Sequence, residues 1–188
     1  MEAPQSSAAG TTLAVQHTAD VPTPEEMREL GHRIAALLRP GDLVLLTGEL
    51  GAGKTTLARG LGAGLGVRGS VTSPTFVIAR VHPSLGDGPA LVHVDAYRLG
   101  GRGLEGMDDL DLEVSLPESV VVVEWGEGRV EELSEDRLHV VIERSVGAEA
   151  GGTADEEEPD AGDVDDVRTV TLTGVGGRWL GEDLSVIG

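Results

Sequence analysis

The sequence predicts an α/β fold, a mainly parallel sheet flanked by helices in three layers with antiparallel strands at its edges, and three observations predict it. The first is the stretch from Leu43 to Leu65, LVLLTGELGAGKTTLARGLGAGL. An apolar, strand-like run passes there through a glycine-rich turn into Leu57, Leu61 and Leu65 at helical spacing. The second is a pair of apolar runs, Leu91 to Val94 and Ser119 to Val123, each followed by an acid, Asp95 and Glu124. Four consecutive valines in the latter suit a parallel strand buried on both faces. The third is a pair of segments, Arg137 to Arg144 and Arg168 to Thr173, whose alternation suits edge strands.

The chain has 188 residues and 39% hydrophobic content, enough for one domain with a sizeable core, expected over residues 13–188. Residues 1–12 are small and polar and are expected to form a disordered tail. The formal net charge is −19, and Val146 to Val167 carries nine Asp or Glu and no Lys or Arg, which reads as a disordered, solvated loop. The remainder is still acidic. Such a surface repels phosphate backbones and argues against tight direct binding of nucleic acid. Without cysteine there is no disulfide, thiolate metal site or thiol nucleophile, and a reducing compartment is the default. No basic n-region with an apolar h-region opens the chain, and no apolar run approaches the length of about 18 residues that suggests a membrane span. Neither secretion nor membrane spanning is expected.

Taken in order, Leu13 to His17 alternates weakly, as an edge strand would. Thr23-Pro24-Glu25-Glu26 is a helix start, with Thr23 as N-cap, Pro24 at the first helical position and Glu26 completing a capping box. Met27, Leu30, Ile34, Leu37 and Leu38 follow on one face, and Pro40-Gly41 ends the helix. Gly48, Gly53, Lys54 and Thr55 then stand at the spacing G-x-x-x-x-G-K-[ST] of a phosphate-binding loop. Glycines, Gly51 among them, let the backbone turn its N–H groups toward phosphate oxygens around Ala52, and the following helix directs its positive end at the same anion. Lys54 supplies a point charge for the β- and γ-phosphates, Thr55 a hydroxyl for Mg²⁺, and Thr56 a bond to a further phosphate oxygen. Lys54 is the only lysine, against thirteen arginines.

Beyond this helix, Gly60, Gly62, Gly64 and Gly66 are expected to break it down. Ser73-Pro74-Thr75 makes a hydroxyl-rich, stiffened loop where nucleotide-binding folds place a phosphate-sensing switch, although alone it is an ordinary turn. Val77 to Val81 is strand-like, and His82 to Pro89 reads as a hairpin loop. Asp95 lies at the carboxyl edge of the sheet, where ligands bind in open α/β folds; a lone acid there also caps turns. Leu104, Met107 and Leu110 are spaced for a short helix. Glu124 is the Walker-B-like acid, holding Mg²⁺ directly or through water, and Trp125 beside it reads as a packing residue, with a place in the site as the second reading. Trp179, Leu180 and Leu184 suggest a last amphipathic turn. The histidines form no H-E-x-x-H pair and the acidic segment has no EF-hand spacing, so neither zinc nor calcium is expected. His93 is the one histidine near the presumed site, two residues before Asp95, but on a buried strand it reads first as a core histidine.

The order GELGAGKTT, TSPTF, HVDAYR and VEW resembles the bacterial tRNA threonylcarbamoyladenosine biosynthesis family TsaE, from about Thr23 to Arg144 and more loosely beyond. The resemblance implies a P-loop ATPase fold, Mg²⁺-ATP as ligand and a cytoplasmic location. It also implies work on tRNA only indirectly, through TsaB- and TsaD-like subunits of the threonylcarbamoyl-transferase complex. Gly51 to Thr56 take the family's phosphate loop, Thr55 and Glu124 its magnesium site, Asp95 the acid of its H-x-D-x-Y-R motif, and Ser73 to Phe76 its switch-like loop. The chain departs from the family at Glu49, at Ala96 and in the length of the acidic segment. The expected chemistry is hydrolysis of the β–γ bond by an in-line water, with Lys54 stabilising the leaving group and Asp95 or Glu124 orienting water or metal. Arg98 is a candidate for charge stabilisation in cis, or a surface arginine. A standard GTPase is disfavoured because the chain has no asparagine for an N-K-x-D motif. A small-molecule P-loop kinase, or a nucleotide-gated assembly module with little turnover, are the alternatives.

Overall fold

Seven strands form one mixed sheet, with two helices on one of its faces. The structure is a computed structural model and describes residues 14–72, 79–96, 116–128, 134–144 and 167–187. Its elements are β1 (Ala14–Val21), α1 (Pro24–Ala35), β2 (Leu43–Gly48), α2 (Lys54–Gly64), β3 (Ala79–His82), β4 (Ala90–Asp95), β5 (Ser119–Glu124), β6 (Arg137–Arg144) and β7 (Arg168–Val175). The strand order is β1-β7-β6-β2-β5-β4-β3. The central β6, β2, β5 and β4 run parallel, while β1, β7 and β3 pair antiparallel. Residues 1–12, Ser73 to Thr75, Arg98, the helix expected around Leu104 and the acidic segment up to residue 166 lie outside the described residues.

The sequence reading of β6 and β7 as edge strands is corrected. β6 lies between β2 and β7, and β7 between β6 and β1, so the edges are β1 and β3. Alternation arises in β6 because one face only is closed by the helices: Leu138, Val140 and Ile142 are buried under them, and His139 and Val141 are half-buried on the other face. A period of two reports a half-covered face and not a position at the rim. β5, by contrast, is buried on both faces throughout, as its valines require.

α1 begins as its sequence dictates. The Thr23 hydroxyl accepts from the Glu26 amide at 3.1 Å, and the Glu26 carboxylate accepts from the Thr23 amide at 3.2 Å. Met27, Leu30 and Ile34 are buried against α2 and the sheet. The glycines of α2 do not break it. The helix runs from Lys54 through Gly60 and Gly62 to Gly64, because these residues sit where α1, or a valine, passes too close for a side chain. A Cβ on Gly60 would strike the Arg28 carbonyl oxygen, and one on Gly31 would strike Leu57, so the two helices cross backbone to backbone.

Beyond β7, Trp179 is fully buried and Leu184 is buried in the helix-side core, whereas Leu180, expected in the same contact, is 42% exposed. Arg178 anchors this turn. Its guanidinium donates to both carboxylate oxygens of buried Asp42, at 3.1 and 3.0 Å, to Glu182 at 2.7 Å and to the Leu37 carbonyl at 2.7 Å. Among the described residues no helix is long and apolar enough to cross a membrane.

Candidate functional site

The chain turns at the carboxyl end of β2, with β5 on one side of that strand and β6 on the other. This is the switch point at which open α/β sheets place a crevice. The loop leaving β2 holds Gly51 and Gly53 at φ of 76° and 114°, left-handed values that glycine adopts without strain. Gly53 is the N-cap of α2 and offers no side-chain acceptor. The contrast with α1 is informative. α1 satisfies its own first amides with a capping box, while α2, eleven residues long, starts bare and leaves its first-turn N–H groups and positive end directed at the loop.

Lys54 opens α2, and its side chain is almost fully buried. Its ammonium donates to the carbonyls of Gly48 at 2.7 Å and Glu49 at 2.8 Å and stands 3.9 Å from the centre of the Trp125 ring. Burial lowers its pKa from the ordinary 10.5, and the nearby charges of Glu124 and Asp95 act in the opposite sense. Thr55 is half-buried, and its hydroxyl donates to Glu124 Oε1 at 3.2 Å. Glu124 and Asp95 are register partners at the carboxyl ends of β5 and β4, 4% and 8% exposed. The sequence-derived set Gly48, Gly51, Ala52, Gly53, Lys54, Thr55, Thr56, Asp95 and Glu124 is therefore gathered at one end of the sheet.

Trp125 packs at the edge of the site and not in the core. It is half-exposed, takes a φ of 61° and faces Lys54. An aromatic residue in that region is strained, at a cost of about 1–2 kcal/mol. It lines a cavity of about 800 Å³ with Thr47, Gly48, Glu49, Val141 and Arg144 among others. A smaller cavity of about 200 Å³ opens on the other side of the loop, between Pro24 and Met27 of α1, Gly51 to Gly53, Thr56 and Arg168.

Sequence reasoning missed two contributors, Arg144 and Arg168, and gave a third, His93, a place near the site only as its second reading. His93, read as a core histidine, is indeed fully buried, but its Nε2 lies 2.8 Å from Glu124 Oε1. Arg144 and Arg168 are register partners across β6 and β7. Arg144 lies against Gly51, where a Cβ would come within 2.8 Å of its Nη2, and Arg168 lines the smaller cavity. The spacing of His93 two residues before Asp95, which puts both on one face of a strand, is what sets it near the site in the sequence. For the arginines the available signal was their position at the two strand ends that meet beside the loop.

The residues fit a nucleoside triphosphate with magnesium. Gly51 and Gly53 turn the loop backbone at positive φ in front of the first turn of α2, which has no side-chain cap, an arrangement whose amides suit an anion. Thr55 and Glu124 offer the hard oxygen donors that magnesium takes when substrate phosphates complete its shell. No cluster of three or more His, Asp or Glu able to hold a metal alone occurs among the described residues.

A family model described as threonylcarbamoyl adenosine biosynthesis protein TsaE matches residues 21–150. The chain is 69% identical over 161 residues to the tRNA threonylcarbamoyladenosine biosynthesis protein TsaE of Streptomyces coelicolor, covering 86% of this chain and 99% of that one. It is 38% identical over 166 residues to the protein of the same name from Bacillus subtilis, covering 86% and 89%. The crystal structure of Bacillus subtilis YdiB matches with a TM-score of 0.62 at 34% identity, over 89% of this chain and 90% of that one.

Proposed function

The chain belongs to the TsaE family of threonylcarbamoyl adenosine biosynthesis proteins, and from that premise we propose that it is the magnesium-dependent, ATP-binding and ATP-hydrolysing component of the tRNA threonylcarbamoyladenosine machinery. It acts in the cytoplasm and through partner subunits that carry out the transfer to tRNA. The observation that carries the ATPase reading is the bare N-terminus of α2 with Lys54, Thr55 and Glu124 converging on it. The acidity of the chain supports an indirect role toward tRNA.

In this reading the amides of Gly51 to Thr56 hold the phosphates, and Lys54 exchanges its bonds to the Gly48 and Glu49 carbonyls for β- and γ-phosphate oxygens. Thr55 and Glu124 hold the magnesium ion, which when bound neutralises charge on those oxygens. Asp95, adjacent to Glu124 in register, orients the attacking water, so that the two acids divide the work between metal and nucleophile. Charge developing on the leaving group is met by Lys54 and the loop amides without rearrangement of the fold.

Lys54→Ala tests the reaction: ATP hydrolysis by the protein with its partners falls by at least about 100-fold. A variant rate equal to the parent's ends the ATPase reading. Phosphate recovered on an acceptor other than water replaces it with a kinase. Depleting the protein in cells and measuring the modified adenosine in bulk tRNA by mass spectrometry tests the pathway, and an unchanged level removes that assignment.

A further inference from the structure

The least explained group in the site is His93. It is completely buried, its Nε2 is 2.8 Å from Glu124 Oε1, and its Nδ1 has no hydrogen-bond partner. A proton on Nδ1 would be a buried donor with no acceptor, which costs more than a bare lone pair, so the ring's proton sits on Nε2. The imidazole therefore donates to Glu124. The same Oε1 accepts from the Thr55 hydroxyl at 3.2 Å.

Strand register explains the placement. β4 runs parallel beside β5 with Asp95 opposite Glu124 and His93 opposite Val122, so His93 stands one pleat behind Glu124 on the helix-side face. Glu124 ends its strand, and the backbone turns sharply at Trp125. A flexible carboxylate at such a point has several rotamers open to it unless something fixes it. Thr55 supplies one restraint, since its hydroxyl can turn a lone pair to a metal and still donate to Oε1, at 3.2 Å. The shorter bond from His93, at 2.8 Å and fully buried, supplies the second.

We propose that His93 is a positioning residue: its Nε2–H holds the Glu124 carboxylate in the orientation that receives magnesium beside Thr55. The proposal rests on the magnesium-ATP reading. It treats the histidine as the outer partner that orients a ligating carboxylate, a role whose loss typically lowers metal affinity by about 10–100-fold.

The test compares His93→Gln, whose side-chain amide can still donate to Oε1, with His93→Leu, which cannot. The affinity of each full-length variant for a fluorescent ATP analogue is measured without magnesium and across a magnesium titration, and folding is checked by circular dichroism. His93→Leu is expected to bind the analogue as the parent does without magnesium, but to need about 10–100-fold more magnesium for half-maximal tightening. His93→Gln recovers most of the difference. If His93→Leu does not fold, His93→Asn replaces it, since its shorter amide cannot reach Oε1. An unchanged magnesium midpoint in a folded variant lacking the donor overturns the proposal while leaving the nucleotide site intact. A parent that binds no nucleotide under any condition overturns both. Equal loss of affinity with and without magnesium shows a merely structural role and also overturns it.

Discussion

Gly60→Ala is expected to destabilise the protein, although helix propensity alone favours alanine at that position by about 1 kcal/mol. The sign is decided at the crossing of α1 and α2. A methyl group on Gly60 would press on the Arg28 carbonyl oxygen and stand 2.9 Å from its carbonyl carbon and 3.0 Å from its Cα. Ordinary carbon–carbon contact lies at about 3.5–4.0 Å, so α1 must recede by about 1 Å there, and every obstructing atom is backbone that no rotamer change can move. Receding loosens Met27, Leu30 and Ile34 from Leu57 and Leu61. Overpacking of this kind costs about 2–3 kcal/mol, and subtracting the propensity gain leaves a net loss of about 1–2 kcal/mol. For a chain of this size that lowers Tm by about 2–8 °C. Urea and thermal unfolding measure the loss, and Ala63→Gly at an exposed position of α2 calibrates the propensity term. A Gly60→Ala protein as stable as the parent, or more so, refutes the close crossing.

Three further outcomes follow from other parts of the molecule. Asp42→Ala strips half-buried Arg178 of a two-pronged partner and costs about 1–3 kcal/mol by chemical denaturation, but leaves nucleotide affinity unchanged because Asp42 precedes β2 at the end away from the loop. His82 has its pKa lowered from 6.5, first by burial and then by His93 and Arg80. The unfolded chain therefore takes up its proton first, and the parent loses stability relative to His82→Leu as pH falls below 6.5 toward the lowered folded value, at no more than about 1.4 kcal/mol per pH unit. Denaturation midpoints of both proteins between pH 7.5 and 5, as a rough span for the titration, check this sign. Thr23→Ala removes the side chain that accepts from the Glu26 amide, and costs about 1 kcal/mol in the same assay.

What could be read from residues alone was what depends on neighbours in sequence. The capping box of α1, the glycine loop and the strand-ending acids are short-range patterns, and each occurs as read. Strand position was not legible in the same way. The alternation of β6 is set by what covers each face, and an interior strand with one open face alternates like an edge. The glycines of α2 misled for a related reason. Their cost to an isolated helix is real, but a second helix lying across Gly60 and Gly64 is a tertiary fact that outweighs it. Trp125 and His93 read first as packing residues, with a place in the site only second, because large or ring-bearing residues beside buried strands are most often core. Their partners, Lys54 and Glu124, are 71 and 31 positions away in sequence, beyond the reach of any local pattern.

Four departures from ordinary protein chemistry meet around the glycine loop. α2 lacks a cap where α1 has two reciprocal bonds, Trp125 holds a strained backbone, and two buried carboxylates sit side by side in register. A lysine ammonium is also buried among them. Because the Lys54 pKa is lowered, the charged form is less favourable in the fold than in water. The folded state bears that cost at every pH below the lowered value and is relieved as pH rises through it toward 10.5. Four such departures meeting at one end of the sheet are what a site built for function shows. A polyanion with its cation would reduce three of these costs at once, by capping α2, pairing Lys54 and separating the charges of Asp95 and Glu124.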